Sequence, residues 1–385
     1  MKFDLLINIF DAHNEASIIL TEKYKPKNVL FFYMNSYEVK QIEKLKRYYN
    51  EKFPKCKFDY KKLEVDNPSS LEDAITSYQG LDGVCNLTSG KKLVTLMVYT
   101  YCMKHGIDCK YIDIKNEIVI NFDIEGIYIE KDSFAELEIE DIIKSIGASI
   151  LVDSTEIYND EVVFEFTMWI SKHLEVWEKL KFMLQDTSIF LRDEHNPEFL
   201  KVEINRLSNE NRGILKERLD FLVRKGQINL KEDGQYYKIY FLNDFIKTFL
   251  FKCGTWLEIL TQNIVENIKE IDDVKSGLMF LWNNEKTKVK NELDVVAIKD
   301  STLICISCKD SRKYDEVSLN ELNVYAAQLG GENVIKILVA TKEPRKTTVY
   351  QRAKEMNIEL IIFNGDIEKF KFEITNIINK RREIS

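Results

Sequence analysis

Asn291-Glu292-Leu293-Asp294-Val295-Val296, followed after a short gap by Ile304-Cys305-Ile306-Ser307-Cys308-Lys309, carries most of the information in this chain. Both runs have the apolar, partly β-branched composition of neighbouring β-strands. The first has an acid near its start and the second a lysine at its end. Side chains alternate along a strand, so Glu292 and Asp294 share a face, Ser307 and Lys309 share a face, and Cys308 points away. An acid and a lysine converging at strand ends suit metal-assisted attack on a phosphodiester. The carboxylate holds a divalent cation, and the ammonium sits by the attacking water or the developing negative charge. The bland alternative is a pair of solvated strand ends on an ordinary buried sheet.

The pair resembles the P-D…(D/E)-x-K skeleton of the restriction-endonuclease-like fold. Ser307 stands where that pattern has Asp or Glu. A serine is a weak metal ligand, so a second carboxylate must come from elsewhere. Glu258 is one source. It lies in Gly254-Thr255-Trp256-Leu257-Glu258, opening a helix with apolar residues at Leu257, Ile259, Leu260, Ile264, Val265 and Ile268. The helix before the first active-site strand often carries an acid facing the metal in this fold. A first-turn glutamate is equally what the helix dipole favours. Glu292 is the other source.

The 385 residues predict two or three domains. Hydrophobic residues make up 45% and charged residues 31%, the balance of a soluble globular protein, and 5 Pro with 14 Gly leave little for disordered linkers. No run of 18 or more apolar residues predicts a membrane span, and the N-terminal apolar run reads as a strand, not a signal peptide. The seven cysteines form no disulfide framework, which predicts a reducing cytoplasm. Cys305 and Cys308 face opposite sides of a strand, so they cannot chelate together. The net charge of −8 argues against a coat for duplex DNA. Most of the acid excess lies before residue 250, and basic groups occur at Lys286-Lys290, Arg312-Lys313 and Lys380-Arg382.

Residues 1–125 alternate strand and helix, which predicts a parallel, Rossmann-like sheet with helices on both faces and a ligand crevice at the strands' carboxyl ends. Two strand ends are polar there: Asp11-Ala12-His13-Asn14, and Asn86-Leu87-Thr88-Ser89-Gly90-Lys91-Lys92. The latter is a strand, a tight turn of small residues and a lysine pair before a helix. Such a turn cradles phosphate with backbone N–H groups and the helix dipole. It also reads as a helix cap with incidental lysines. Residues 126–250 read as a helical linker, with helices at 135–146, 163–184 and 208–224. The last is followed by a hairpin through Asp233-Gly234 that resembles a winged helix. Its few basic residues favour a spacer or dimer role. Residues 251–385 run helix, three strands, helix, strand, helix, strand, the order of the restriction-endonuclease core.

Taken together, the chain resembles the ancillary nucleases of type III CRISPR systems, in which a CARF (CRISPR-associated Rossmann fold) domain precedes a restriction-endonuclease-like domain. The motifs that match are Asn86-Leu87-Thr88-Ser89-Gly90-Lys91, close to the family's N-x-T-G-G-T-K, then Gly254 to Glu258, Asn291 to Val295, and Cys308-Lys309. Ser89 replaces a glycine, and Ser307 replaces the Glu of E-x-K. The resemblance implies an α/β protein with three parts: a CARF sensor over 1–125, a winged-helix-like middle over 126–250 and a nuclease domain over 251–385. It also implies a homodimer binding cyclic tetra-adenylate across its two-fold axis, with contacts from Asp11, His13, Asn14, Thr88, Ser89, Gly90, Lys91 and Lys92. Single-stranded DNA, RNA or plasmid would be cut with Mn²⁺ or Mg²⁺. Asp294, Glu258 or Glu292, and the Cys308 carbonyl would hold the metal, Lys309 would assist the water, and Ser307 would hold a metal-bound water. The rival reading is a non-enzymatic, ligand-responsive regulator with a decayed nuclease lobe, which Ser307 supports best.

Overall fold

Leu5–Ile9 is buried along its whole length, as a central strand of a parallel sheet covered on both faces must be. In the computed structural model it pairs in parallel with Asn28–Tyr33 on one side and Gly83–Asn86 on the other. Lys57–Lys62 lies beyond the first and Asp108–Asp113 beyond the second. Four helices, Glu15–Tyr24, Glu38–Lys52, Ser69–Thr76 and Lys92–Lys104, make the crossovers. Strand order reverses between Leu5–Ile9 and Gly83–Asn86, so the crevice at their carboxyl ends falls beside Asp11 and the 86–92 turn. The structure describes residues 3–380 except 68, 115, 194, 285 and 286, with backbone alone at 283, 284, 287–289 and 332. Of the basic groups noted above, Lys286, Arg381 and Arg382 fall outside the described residues.

This sheet continues past residue 125. Ile118–Phe122 and Ile127–Lys131 extend it as an antiparallel hairpin. Every residue of Ile127–Lys131 is exposed, so alternation between a buried and a wet face, the usual mark of a strand, is missing from its sequence. The span expected as a linker also differs from a linker. Helix Ile139–Ser145 is shorter than expected, and Ala148–Val152 joins the edge of the C-terminal sheet. The helix expected over 163–184 is two helices, Glu161–Lys172 and Leu174–Leu184, broken at His173. Helix Asn209–Arg224 is capped by the Ser208 side chain, which accepts from Asn211 N–H at 3.2 Å. The hairpin Ile228–Asp233 and Tyr236–Phe241 then pairs with Phe199–Glu203, itself bonded to Phe190–Arg192.

Six strands form the C-terminal sheet, in the order Ile358–Ile362, Ile335–Ala340, Thr302–Lys309, Thr287–Lys299, Asp273–Asn284 and Ala148–Val152. Helix Thr255–Glu266 covers one face and Glu316–Gly330 the other. A last helix, Ile367–Asn379, was not expected; it buries Phe370, Ile374 and Ile378 at helical spacing beside Trp256 and Phe363. The cores cross the lobes. Trp177, Leu180, Leu215 and Leu219 of the middle span share one core with Trp256, Leu257, Val295 and Ile306. Phe3, Leu6 and Phe31 share another with Leu278, Phe280, Leu293 and Leu319. The middle segment is therefore packed structure, held by side chains each worth roughly 1.5–3 kcal/mol on burial.

The C-terminal sheet is kinked at one point. Leu293 packs in the core below Glu316–Gly330, whereas Val295 packs in the core below Thr255–Glu266. Residues two apart on a regular strand face the same way, so the strand turns over at Asp294. The partner strand does the same, with Val274 on one side and Leu278 on the other. Ser276 pairs with Val295 and Leu278 with Leu293, so register holds across the kink and leaves Gly277 opposite Asp294. Gly277 has φ +54, a backbone that glycine adopts without strain.

Candidate active site and ligand turn

The kink sets Asp294 where both layers of the fold reach it. Ser307 Oγ donates to Asp294 Oδ2 at 3.0 Å, the Cys308 backbone N–H donates to the same oxygen at 2.6 Å, and Lys309 Nζ lies 3.6 Å away. Ser307 and Lys309 thus meet the acid from one strand, while Cys308 turns its thiol to Thr261 Oγ1 of the covering helix, at 3.5 Å. Glu292 is half exposed and lies 3.4 Å from Lys252.

Glu258 sits in the first turn of Thr255–Glu266, 6% exposed, and accepts a hydrogen bond from the Tyr158 hydroxyl at 2.7 Å. Burial raises its pKa to about 7; the Asp294 charge adds to this, Lys252 and Tyr158 oppose it, and Glu292 adds again. Burial, with Glu258 next, also pushes the Tyr158 phenol up. Glu258, Asp294 and Glu292 therefore form one electrostatic cluster, though among the described residues the one group of three such ligand atoms within 4.8 Å of one another is Cys85, Cys102 and Cys109. Those thiols lie in the apolar core of the N-terminal lobe, with Leu5, Ile7 and Val98.

The donor chemistry fits a hard divalent cation: oxygen ligands on two or three acids, one of them held partly neutral by its burial and by its neighbour's charge. Two lysines, Lys252 and Lys309, flank the acids.

Asp310, which the sequence reading passed over, fixes the strand end that presents Lys309. Its side chain is 5% exposed and accepts from Trp177 Nε1 at 3.0 Å, Trp256 Nε1 at 2.9 Å and Thr341 Oγ1 at 2.7 Å, with Lys181 Nζ 3.2 Å away. The only signal for it in the sequence was adjacency to Lys309 and a tryptophan two residues before Glu258.

In the N-terminal lobe the 86–92 turn is braced from within. Buried Asn86 donates to Asn8 Oδ1 at 3.0 Å and accepts from Thr88 N–H at 3.0 Å, and Thr88 Oγ1 accepts from Ile112 N–H at 2.9 Å. Asp11 Oδ2 accepts from Gly90 N–H at 3.0 Å, and Asn14 Nδ2 donates to the Asp11 carbonyl at 2.7 Å. Asp11 and Asn14 thus shape the turn, and three of its N–H groups, those of Leu87, Thr88 and Gly90, are already used. Gly90 has φ +103, and a Cβ there would come within 2.3 Å of Ile9 Cγ2, so the position requires glycine. Ser89 is half-buried, and Lys91 and Lys92 are exposed at the start of Lys92–Lys104. Lys91 borders a cavity of about 540 Å³ with Met34, Asn35, Lys62, Glu64 and Asp66, the loops after two further parallel strands.

His13, expected among these ligand contacts, packs elsewhere. A Cβ on Gly331 would lie 3.1 Å from His13 Cδ2, so the ring rests on the turn after helix Glu316–Gly330, with Nδ1 3.6 Å from Glu15. The cause is the close docking of the two lobes, which no local sequence pattern encodes.

Residues 230–380 match the family model described as the Card1-like endonuclease domain. No curated protein matches the chain. Among solved structures, protein VC1899 from Vibrio cholerae superposes with a TM-score of 0.76 at 18% identity, covering 97% of each chain. Can2 from Sulfobacillus thermosulfidooxidans, solved with cyclic tetra-adenylate, gives 0.71 at 14% identity, covering 98% of this chain and all of its own. A type III CRISPR defence DNA nuclease activated by cyclic oligoadenylate gives 0.53 at 13%, covering 96% of this chain and 51% of its own. The chain thus shares the fold of VC1899 and Can2 along nearly its whole length, and its residues 230–380 match the Card1-like endonuclease domain.

Proposed function

We propose that this protein is a metal-dependent nuclease switched on by cyclic oligoadenylate, with cyclic tetra-adenylate as the activator, in type III CRISPR defence. The observation that carries the reading is Asp294 held between Ser307 and Lys309, with buried Glu258 beside it, inside a Card1-like endonuclease domain. The solved Can2 complex supports cyclic tetra-adenylate as the ligand of the other lobe.

Asp294, with Glu258 or Glu292 and the Cys308 carbonyl, would hold Mn²⁺ or Mg²⁺. A bound divalent ion supplies charge neutralisation at the scissile phosphate and a more acidic water. The chain's own residues do the rest. Lys309, steered by Asp294, places its ammonium where negative charge develops on the phosphate. Ser307 fixes the Asp294 carboxylate and can orient a water. Asp310 keeps the Lys309 backbone still. DNA and RNA both have the phosphodiester this site addresses; the DNA nuclease among the structural neighbours favours DNA.

The ligand turn suits a symmetric cyclic tetra-adenylate shared by two copies of the chain: one Lys91-Lys92 pair per protomer, beside the cavity lined by Asn35 and Lys62. The protein would act as a homodimer in the cytoplasm; no helix among the described residues is long and apolar enough to cross a membrane.

The second reading, a ligand-responsive regulator without catalysis, rests on Ser307. An incubation of plasmid, single-stranded DNA and RNA with Mn²⁺, with and without cyclic tetra-adenylate, separates them. Activator-dependent cleavage is expected; intact substrates under every condition would leave the regulator.

A further inference from the structure

Glu258 is touched by a side chain from outside the strands and helices that the sequence marks as the nuclease core. Tyr158 ends the short helix Thr155–Tyr158, its ring buried and stacked on Phe245 at 5.8 Å between centroids, its hydroxyl 2.7 Å from Glu258 Oε2. The segment that carries it is docked at both ends. Upstream, helix Ile139–Ser145 is held to the Glu38–Lys52 helix of the N-terminal lobe: Tyr48 donates to Asp141 at 3.0 Å and Lys52 at 2.5 Å. Ala148–Val152 then joins the edge of the nuclease sheet. Beyond it, Lys275 pairs with Asp153 at 2.7 Å, Ser154 N–H donates to Ser276 O at 2.9 Å, and Ser276 N–H donates to Thr155 Oγ1 at 2.9 Å. The next residue is Gly277, where a Cβ would lie 2.7 Å from Ser154 Oγ and 3.2 Å from the Tyr158 hydroxyl. The same kink that exposes Asp294 thus makes room for Tyr158.

We propose that Tyr158 is a positioning residue of the nuclease site. It fixes the Glu258 carboxylate for the divalent cation, and its segment, docked on the sensor lobe, lets activator binding set that carboxylate's position. This rests on the nuclease reading above. A group that holds a metal ligand in place typically changes metal affinity 10–100-fold when removed. Linkage then requires activator and metal to strengthen each other's binding by the same factor.

The test is Mn²⁺ titration by calorimetry on the full-length protein, wild type and Tyr158→Phe, with and without cyclic tetra-adenylate. Phenylalanine keeps the ring stacked on Phe245 and loses one hydrogen bond, so the thermal midpoint in EDTA should fall by no more than a few degrees. The wild type should bind Mn²⁺ more tightly with activator present. Tyr158→Phe should bind it about 10-fold more weakly and lose the response to activator, while still binding the activator itself. Equal Mn²⁺ affinity in the two proteins overturns the positioning role. Weaker Mn²⁺ binding that still responds to activator overturns the coupling through this segment. A wild type that binds no Mn²⁺ overturns the metal-dependent nuclease reading, and this inference with it.

Discussion

Gly277 lies directly across the strand ladder from Asp294, and it is at this pair that both strands turn over from one core to the other. The left-handed backbone at Gly277 and the carboxylate at Asp294 are two halves of one construction. Without the kink, Asp294 would lie in a regular ladder and face a single layer. With it, strand side chains from one layer and the Glu258 helix from the other converge on the acid.

Gly277→Ala is therefore expected to damage the site. The new Cβ meets Ser154 and Tyr158 at a positive φ, which costs roughly 1–3 kcal/mol. Cleavage should fall at least tenfold, with a lowered thermal midpoint. Wild-type rates in this variant would show that the kink is incidental.

Glu258→Gln and Ser307→Ala should differ in severity. If Glu258 supplies the carboxylate that the E-x-K pattern lacks here, its loss should nearly abolish turnover. Ser307→Ala removes one hydrogen bond to Asp294, worth about 1 kcal/mol, and should slow cleavage roughly fivefold. The reverse order of the two rates would make Ser307 the essential ligand or water holder.

The buried acid also predicts a pH signature. Glu258 titrates at about 7 in the fold, raised from its ordinary 4.5. A carboxylate whose folded pKa is raised costs the fold stability once it must ionise. The metal-free protein should lose stability as pH rises from about 4.5 to 7, and remain lower above that. Glu258→Gln abolishes this cost. In EDTA it should be more stable than wild type at pH 8, by roughly 1–3 kcal/mol, and close to it at pH 4.5. Thermal melts at the two pH values check this; the same difference at both would exclude ionisation as its source.

Lys91→Ala should weaken the sensor alone. Each charge-assisted contact to a phosphate is worth roughly 1.5–3 kcal/mol, and a two-fold ligand loses two of them. The activator concentration for half-maximal cleavage should rise by about two orders of magnitude or more, with full cleavage at saturation. An unchanged midpoint would remove this lysine from the ligand site.

The order of elements in both α/β lobes was readable in the sequence because alternating helical and strand periodicity records which faces are buried. The strands of Asp294 and Lys309 were legible for that reason, and Ser208 announced its helix as a cap. What escaped depends on contacts distant in the chain. Ile127–Lys131 has no buried face to mark it as a strand. Ala148–Val152 makes sense only as the edge partner of Asp273–Asn284. Tyr158 and Asp310 look like unremarkable residues until folding brings Glu258 to one and two tryptophans to the other. His13 was read with its neighbours as a ligand contact, whereas the docking of the second lobe takes it to Gly331.

The most direct measurement follows plasmid and single-stranded DNA with Mn²⁺ while cyclic tetra-adenylate is titrated into wild type and Asp294→Ala, with activator binding measured in parallel. The wild type should cut only as activator saturates, and Asp294→Ala should bind activator equally well and cut nothing. Cleavage by Asp294→Ala at the wild-type rate, or a wild type indifferent to the activator, would contradict a ligand-gated nuclease built on Asp294.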